Sequence, residues 1–297
     1  MKYTTSIDTV GLQVYSNNEV TRNFIVDGIL TLLYTKKLYV LEKTHSTNMH
    51  SNFFIREYHI CSNSTTIASI RMGSFSMNNP LNNMVVTTYY IAIKFAGLKR
   101  YHEPLDTISH NTLLSVCAYL NTRNITYKLT ELDVCMDMYT RFENVLALCT
   151  KKFPKTTYYP ANESQLFETT SYIEKITNDK LDEVLQRAYL YDKSKKENLP
   201  YQIVRFELKL QAKFFNNYRN NLISSILNAL HRYHVMYVPL KKEKNYLLQQ
   251  YDTCAILRER DIKRIGFEKY RCYPDTMAIH AYITNIFSIK ERDLIQP

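Results

Sequence analysis

Residues 187–210 read RAYLYDKSKKENLPYQIVRFELKL. The pattern predicts two strands joined by a basic loop. Successive side chains of a strand point to opposite faces, so Arg187, Tyr189, Tyr191 and Lys193 share one face of the first strand. On the second, Arg205, Glu207 and Lys209 share a face, and Val204, Phe206, Leu208 and Leu210 line the other. The apolar row suits a core. The polar row joins phenols, cations and a carboxylate, the side chains with which a phosphodiester can be cut through a tyrosine. The same row also fits an ordinary solvated sheet face, where Tyr is favoured and Arg, Glu and Lys alternate toward water.

A second stretch sharpens the first. LTELDVCMDM (Leu129–Met138) alternates as a strand with Leu132, Val134, Met136 and Met138 on one side and Glu131, Asp133, Cys135 and Asp137 on the other. Acidic residues are depleted in strands, so a row of them calls for water, cationic partners or a metal. If the three polar rows neighbour one another, carboxylates, tyrosines and cations converge. Hard oxygen ligands suit magnesium or manganese, which polarise a phosphate. A phenol, with an ordinary pKa near 10, then attacks with help from a lysine or the metal. Two tyrosines two positions apart on a strand lie about 6–7 Å from each other, and periodicity leaves Tyr189 and Tyr191 both open as nucleophile. Cross-strand salt bridges are the competing reading of the acids.

Outward from these stretches, IDTVGLQVY (7–15) predicts a first strand and residues 19–34 a helix interrupted by Gly28. Strands are expected over 38–43, 53–60 and 66–72, a turn-rich connection over 74–84 and a strand over Thr87–Phe95. A helix over 109–121 takes Ser109 as its N-cap, and RFENVLALCTKKF (141–153) predicts a short amphipathic helix. LFETTSYIEKI (166–176) predicts a strand and NDKLDEVLQ (178–186) a helical insertion. From Phe214 the apolar spacing turns helical, through Phe215, Tyr218, Leu222, Ile226, Leu230 and Tyr233, with further helices over KEKNYLLQQY, RERDIKRI and DTMAIHAYITNIF. The expected fold is α+β. A largely antiparallel sheet domain flanked by helices (1–213) carries the chemistry, and a helical C-terminal region (214–297) follows it.

Composition narrows the function classes. The net charge of +10 favours a polyanion, nucleic acid before an anionic membrane. Only 5 glycines occur in 297 residues, with neither GxGxxG nor GxxxxGK, which argues against nucleotide-binding loops. The 6 cysteines form no CxxC pair, so no zinc or redox motif is signalled. Their scatter fits reduced thiols in a cytoplasm. No long apolar run predicts a membrane span. His231 and His234 sit at helical spacing that could share a metal, with no third ligand nearby in sequence.

The order LTELDVCMD, then AYLYDKSKKE, then IVRFELKL resembles rolling-circle replication initiators. It is similar to the gene II replication endonucleases of filamentous phages and to the replication-initiation-factor family of small plasmids. There, a strand reading roughly T-R-I-D-x-x-x-D precedes a Y-x-K motif and then R-F-E. The likeness spans the N-terminal strand to about residue 218. It implies origin-specific nicking of one DNA strand, leaving a 5′-phosphotyrosine and a free 3′-OH. Tyr191 is the nucleophile that it implies, with Lys193 beside it; Tyr189 lies outside the match. Asp133, Asp137 and Glu207 are the implied ligands of Mg2+ or Mn2+. Lys193 and Arg205 would touch phosphate, within a DNA-binding surface that also takes in Arg187, Tyr189, Lys195, Lys196 and Lys209. Position 131 is Glu where the family pattern often has Arg, and no His-x-His pair occurs, which favours an all-carboxylate site.

Expected partners are origin DNA, single-stranded or in a hairpin, a host helicase and a polymerase, with no membrane and with a homodimer left open. The setting is a plasmid, phage or integrated mobile element. A conjugative relaxase shares the chemistry, and a non-catalytic DNA-binding or replication-accessory protein shares the basic sheet. A tyrosine recombinase fits poorly, because Tyr282 lacks the arginine and histidine neighbours that class uses.

Overall fold

The computed structural model describes residues 1–43, 56–78, 84–149, 170–172, 186–217, 221–252, 263, 266 and 268–287. They form an α+β fold whose described residues fall into two compact units. One takes 8–132 and 284–287, the other 1–7 and 133–283. Two strands, β1 (Tyr3–Ser16) and β6 (Tyr127–Met138), contribute residues to both.

In the first unit, β2 (Tyr39–Lys43), β3 (Arg56–Ser62), β4 (Thr65–Asn78) and β5 (Val85–Ala96) join β1 and β6 in the order β2-β3-β4-β5-β1-β6. The pairs from β2 to β1 are antiparallel. Val10, Leu12, Val14, Ile70, Met72, Ile91, Ile93 and Phe95 are buried, as period-two alternation predicts. Helices α1 (Glu19–Thr35) and α2 (Glu103–Thr122) bury Ile25, Val26, Ile29 and Leu33 and Leu113, Val116, Cys117 and Leu120. Each large aliphatic so buried contributes about 1.5–3 kcal/mol. Gly28 is explained by packing: a Cβ there would overlap the Tyr119 hydroxyl.

Two local expectations are corrected here. The residues Ser74–Asn78 are strand, paired with Tyr89–Val85, so β4 extends into the expected turn and β5 begins directly after it; residues 79–83 lie outside the described ones. Helix α2 starts at Glu103, capped by His102, whose Nδ1 accepts from Leu105 N. Pro104 in the first turn needs no amide donor. Ser109 is thus nearly two turns inside, its hydroxyl donating back to Leu105 O at 2.8 Å.

In the second unit β6 is followed in hydrogen-bonded order by β10 (Val204–Gln211), β9 (Gln186–Asp192) and β8 (Thr170–Tyr172). A three-stranded sheet, β12-β11-β7, is built from Arg271–Cys272, Tyr233–Tyr237 and Val145–Cys149. The helix expected over 141–153 is instead a 3-10 turn, Phe142–Asn144, and strand β7. Leu146 and Leu148 alternate onto one face and cluster with Met236, Val238 and Leu247, so long-range pairing overrides the local helical pattern. Beyond β10 the helices α4 (Ala212–Asn217), α5 (Leu222–His231), α6 (Lys241–Asp252) and α7 (Thr276–Phe287) are present. Tyr233 and His234, though, belong to β11, so the two histidines do not share a helix face. Helix α3 is the single turn Lys193–Glu197. The boundary expected at residue 213 falls within α4, with described residues of one unit on both sides. The expected helices over 178–186 and 258–265 lie almost wholly outside the described residues. No described helix is long and apolar enough to cross a membrane.

Candidate active site

Strands β9 and β10 are antiparallel, with Arg205 opposite Tyr191, Glu207 opposite Tyr189 and Lys209 opposite Arg187. Two ion pairs tie β6 to β10. Arg205 holds Asp137, and Lys209 lies 3.7 Å from Asp133. Moving from Arg205 to Lys209 moves from Asp137 back to Asp133, so β6 runs opposite to β10. The three polar rows of the sequence do converge. One row runs Asp137–Arg205–Tyr191, the next Glu207–Tyr189, the third Asp133–Lys209–Arg187. The opposite face is apolar: Phe206 packs on Tyr233 with ring centroids 5.4 Å apart.

Burial is graded across this grid. Asp137 and Arg205 are both at 0% exposure. Arg205 donates Nε to Asp137 Oδ1 at 2.7 Å and Nη2 to Oδ2 at 2.9 Å, a two-point bond that fills both carboxylate oxygens. Toward the third row β9 and β10 open, with Arg187, Tyr189, Glu207 and Lys209 partly exposed, while Cys135 and Asp133 of β6 stay buried.

The two tyrosines differ in what holds them. Tyr191 is 6% exposed, and its hydroxyl donates to Glu207 Oε2 at 2.8 Å. Tyr189 is hydrogen-bonded with Arg187. Burial pushes its pKa up, opposed by the charge and hydrogen bond of Arg187 and by Lys209, and assisted by Glu207. Glu207 thus neighbours both phenols, but it is the Tyr191 hydroxyl that donates to it, while Tyr189 is hydrogen-bonded with a guanidinium that cannot take a proton.

The basic loop between the strands contains α3. Asp192 ends β9 and caps the turn, accepting from Lys195 N at 3.0 Å, and Asn198 closes it in the left-handed region at φ 53°. Lys193 is therefore off the strand face where alternation placed it. Its buried ammonium bonds Glu197 Oε1 at 2.9 Å. Lys195 and Lys196 are exposed, and Lys196 Nζ lies 4.7 Å from the Tyr191 ring centroid. Sequence reading placed Lys196 on the DNA-binding surface but missed the roles of Asp192 and Glu197 in the turn that carries it. The signal was there: an Asp followed by KSKKE is a cap followed by helix formers.

The three implied metal ligands do not gather around a common point. Both oxygens of Asp137 accept from a buried guanidinium, Asp133 stands beside Lys209, and Glu207 accepts from Tyr191. Among the described residues no three His, Cys, Asp or Glu side chains are placed to hold an ion. As arranged, the residues do not fit a three-carboxylate magnesium or manganese site.

No protein-family model and no curated protein matches the chain. Among solved structures it is similar to a rolling circle replication initiator protein from Geobacillus stearothermophilus. That likeness has a TM-score of 0.44 at 11% identity, over 91% of this chain and 98% of the other. It is a distant likeness of fold.

Proposed function

We propose that the chain nicks and rejoins one strand of DNA through Tyr191 and so starts rolling-circle replication. The observation that carries this reading is the 2.8 Å hydrogen bond from the Tyr191 hydroxyl to Glu207, on a face where Tyr189 is bound to Arg187 instead. The order of the sequence motifs supports it independently. In the reaction Glu207 takes the Tyr191 proton as Oη forms a bond to phosphorus. The bond from phosphorus to the 3′ oxygen breaks, and that oxygen takes up a proton from solvent. The net change is a transesterification that leaves a 5′-phosphotyrosine and a 3′-OH, and reversal rejoins the strand. Arg205 and Asp137 hold β10 and β6 in register beneath the pair. Arg187 and Lys209, at the open end, bind the DNA backbone, in keeping with the net charge of +10. Origin DNA is the substrate, and a helicase and polymerase act on the product.

The near-complete burial of Tyr191 favours a second reading, a sheet that binds DNA without cutting it. One experiment separates the two. The protein is incubated with a pool of 3′-labelled single-stranded oligonucleotides of randomised sequence, with magnesium or manganese, and covalent adducts are separated by denaturing electrophoresis. A labelled adduct is expected for the wild type and for Tyr189→Phe, with loss of at least about 1,000-fold in Tyr191→Phe, as for removal of a nucleophile. Salt-sensitive binding without any adduct would establish the second reading.

A further inference from the structure

We infer that Lys196 is the cation that meets the scissile phosphate at Tyr191, an inference that rests on the proposed nicking reaction. Three cations surround that tyrosine by strand pairing, by motif or by contact. Arg205 is its cross-strand partner, but it is fully buried and holds both oxygens of Asp137. Lys193 occupies the motif position, but it is buried and paired with Glu197. Lys196 is exposed, and its ammonium lies 4.7 Å from the ring centroid. Of the three, it alone stands both at the phenol and in reach of a ligand from solvent.

The backbone explains the exchange. Were β9 to run on, Lys193 would follow Tyr191 on the same face. The Asp192 cap turns the chain into α3 instead, and one helical turn brings the fourth residue after the cap back toward its start. Lys193 and Glu197 then brace the turn internally, and Lys196 is delivered over Tyr191. At rest its ammonium lies on the ring face, a cation–π contact. An incoming phosphodiester offers a full negative charge in its place. Lys196 then stabilises the charge that builds on the phosphoryl oxygens as Tyr191 attacks. The protons and bonds of the step are unchanged, since Lys196 stays protonated throughout.

The test uses the full chain and the sequence enriched in adducts from the randomised pool. Lys196→Gln should lower the rate of adduct formation at saturating DNA by about 10- to 100-fold while changing the half-saturating DNA concentration by less than about threefold. Lys196→Arg should restore the rate to within about fivefold of wild type, because the charge is kept. Unchanged melting temperatures establish that both variants fold. A Lys196→Gln protein that reacts at the wild-type rate overturns the assignment, as does one impaired only in affinity. A wild-type protein that forms no adduct, or an adduct that survives Tyr191→Phe, overturns the proposed function itself and this assignment with it.

Discussion

Each unit carries a sheet face on which acids and bases alternate, and the two faces have different fates. In the first unit Arg71 donates to Glu57 at 2.9 Å and Lys94 reaches Glu131 at 2.7 Å; the cations are 52% and 43% exposed, while Glu57 is buried and Glu131 partly so. In the second, Asp137 and Arg205 make an equally short pair with no exposure at all. Distance alone does not separate them. Solvent does, because an exposed pair is worth about 0–1 kcal/mol, whereas losing one partner of a buried pair strands a charge and costs about 3–5 kcal/mol.

Asp137→Asn is the strongest way to break that contrast. Urea unfolding should show a loss of about 3–5 kcal/mol, and added manganese should restore neither stability nor adduct formation. A loss below about 1 kcal/mol, or a rescue by manganese, would show that Asp137 serves a metal rather than Arg205.

Two sheet histidines extend the comparison. In the first unit His59 lies partly exposed, 3.2 Å from Glu57. In the second, His234 is 2% exposed, and burial, reinforced by the charges of Arg271 and His231, lowers its pKa from 6.5 to about 4. The folded value lies below the unfolded one, so the stability tied to the neutral ring is complete above pH 6.5. It is lost as pH falls toward 4, by about 3 kcal/mol in total. Urea midpoints at successive pH values in this window should show the decline, and His234→Phe should flatten it. An equal decline in that variant would assign the acid sensitivity elsewhere.

The smallest effect belongs to the first unit. Lys94→Met should change stability by less than about 1 kcal/mol, read as a shift of the urea midpoint at unchanged slope. A larger loss would mean that this face, too, depends on its ion pairs.

Much of the fold was legible because the strands that matter are long and strictly alternating. The apolar rows of β1, β5, β6 and β10 read directly as core. Short or mixed segments were not. VLALC fits a helix as well as a strand by local pattern, and only pairing with Tyr233–Tyr237 makes it β7. The start of α2 was hidden because His102 is an uncommon cap. At the site, alternation put Arg205, Glu207 and Lys209 on one face of their strand, and pairing with β9 makes it the face of Tyr189 and Tyr191. Alternation also carried Lys193 onto that face, since it held no information that β9 stops at Asp192.

The sequence by itself determined which side chains share a face, because the period of two is a property of the extended backbone. It could not determine what each of them meets across the sheet. That depends on β6 lying beside β10 in one register, a pairing between residues far apart in the chain. Tertiary structure therefore decided that Asp137 lies against Arg205, that Glu207 receives the hydroxyl of Tyr191, and that Lys196 covers the ring. The physical reason is that the strength of an ion pair, a proton acceptor or a cation over a ring is set by distance and by exclusion of water, and both exist only once the strands are assembled.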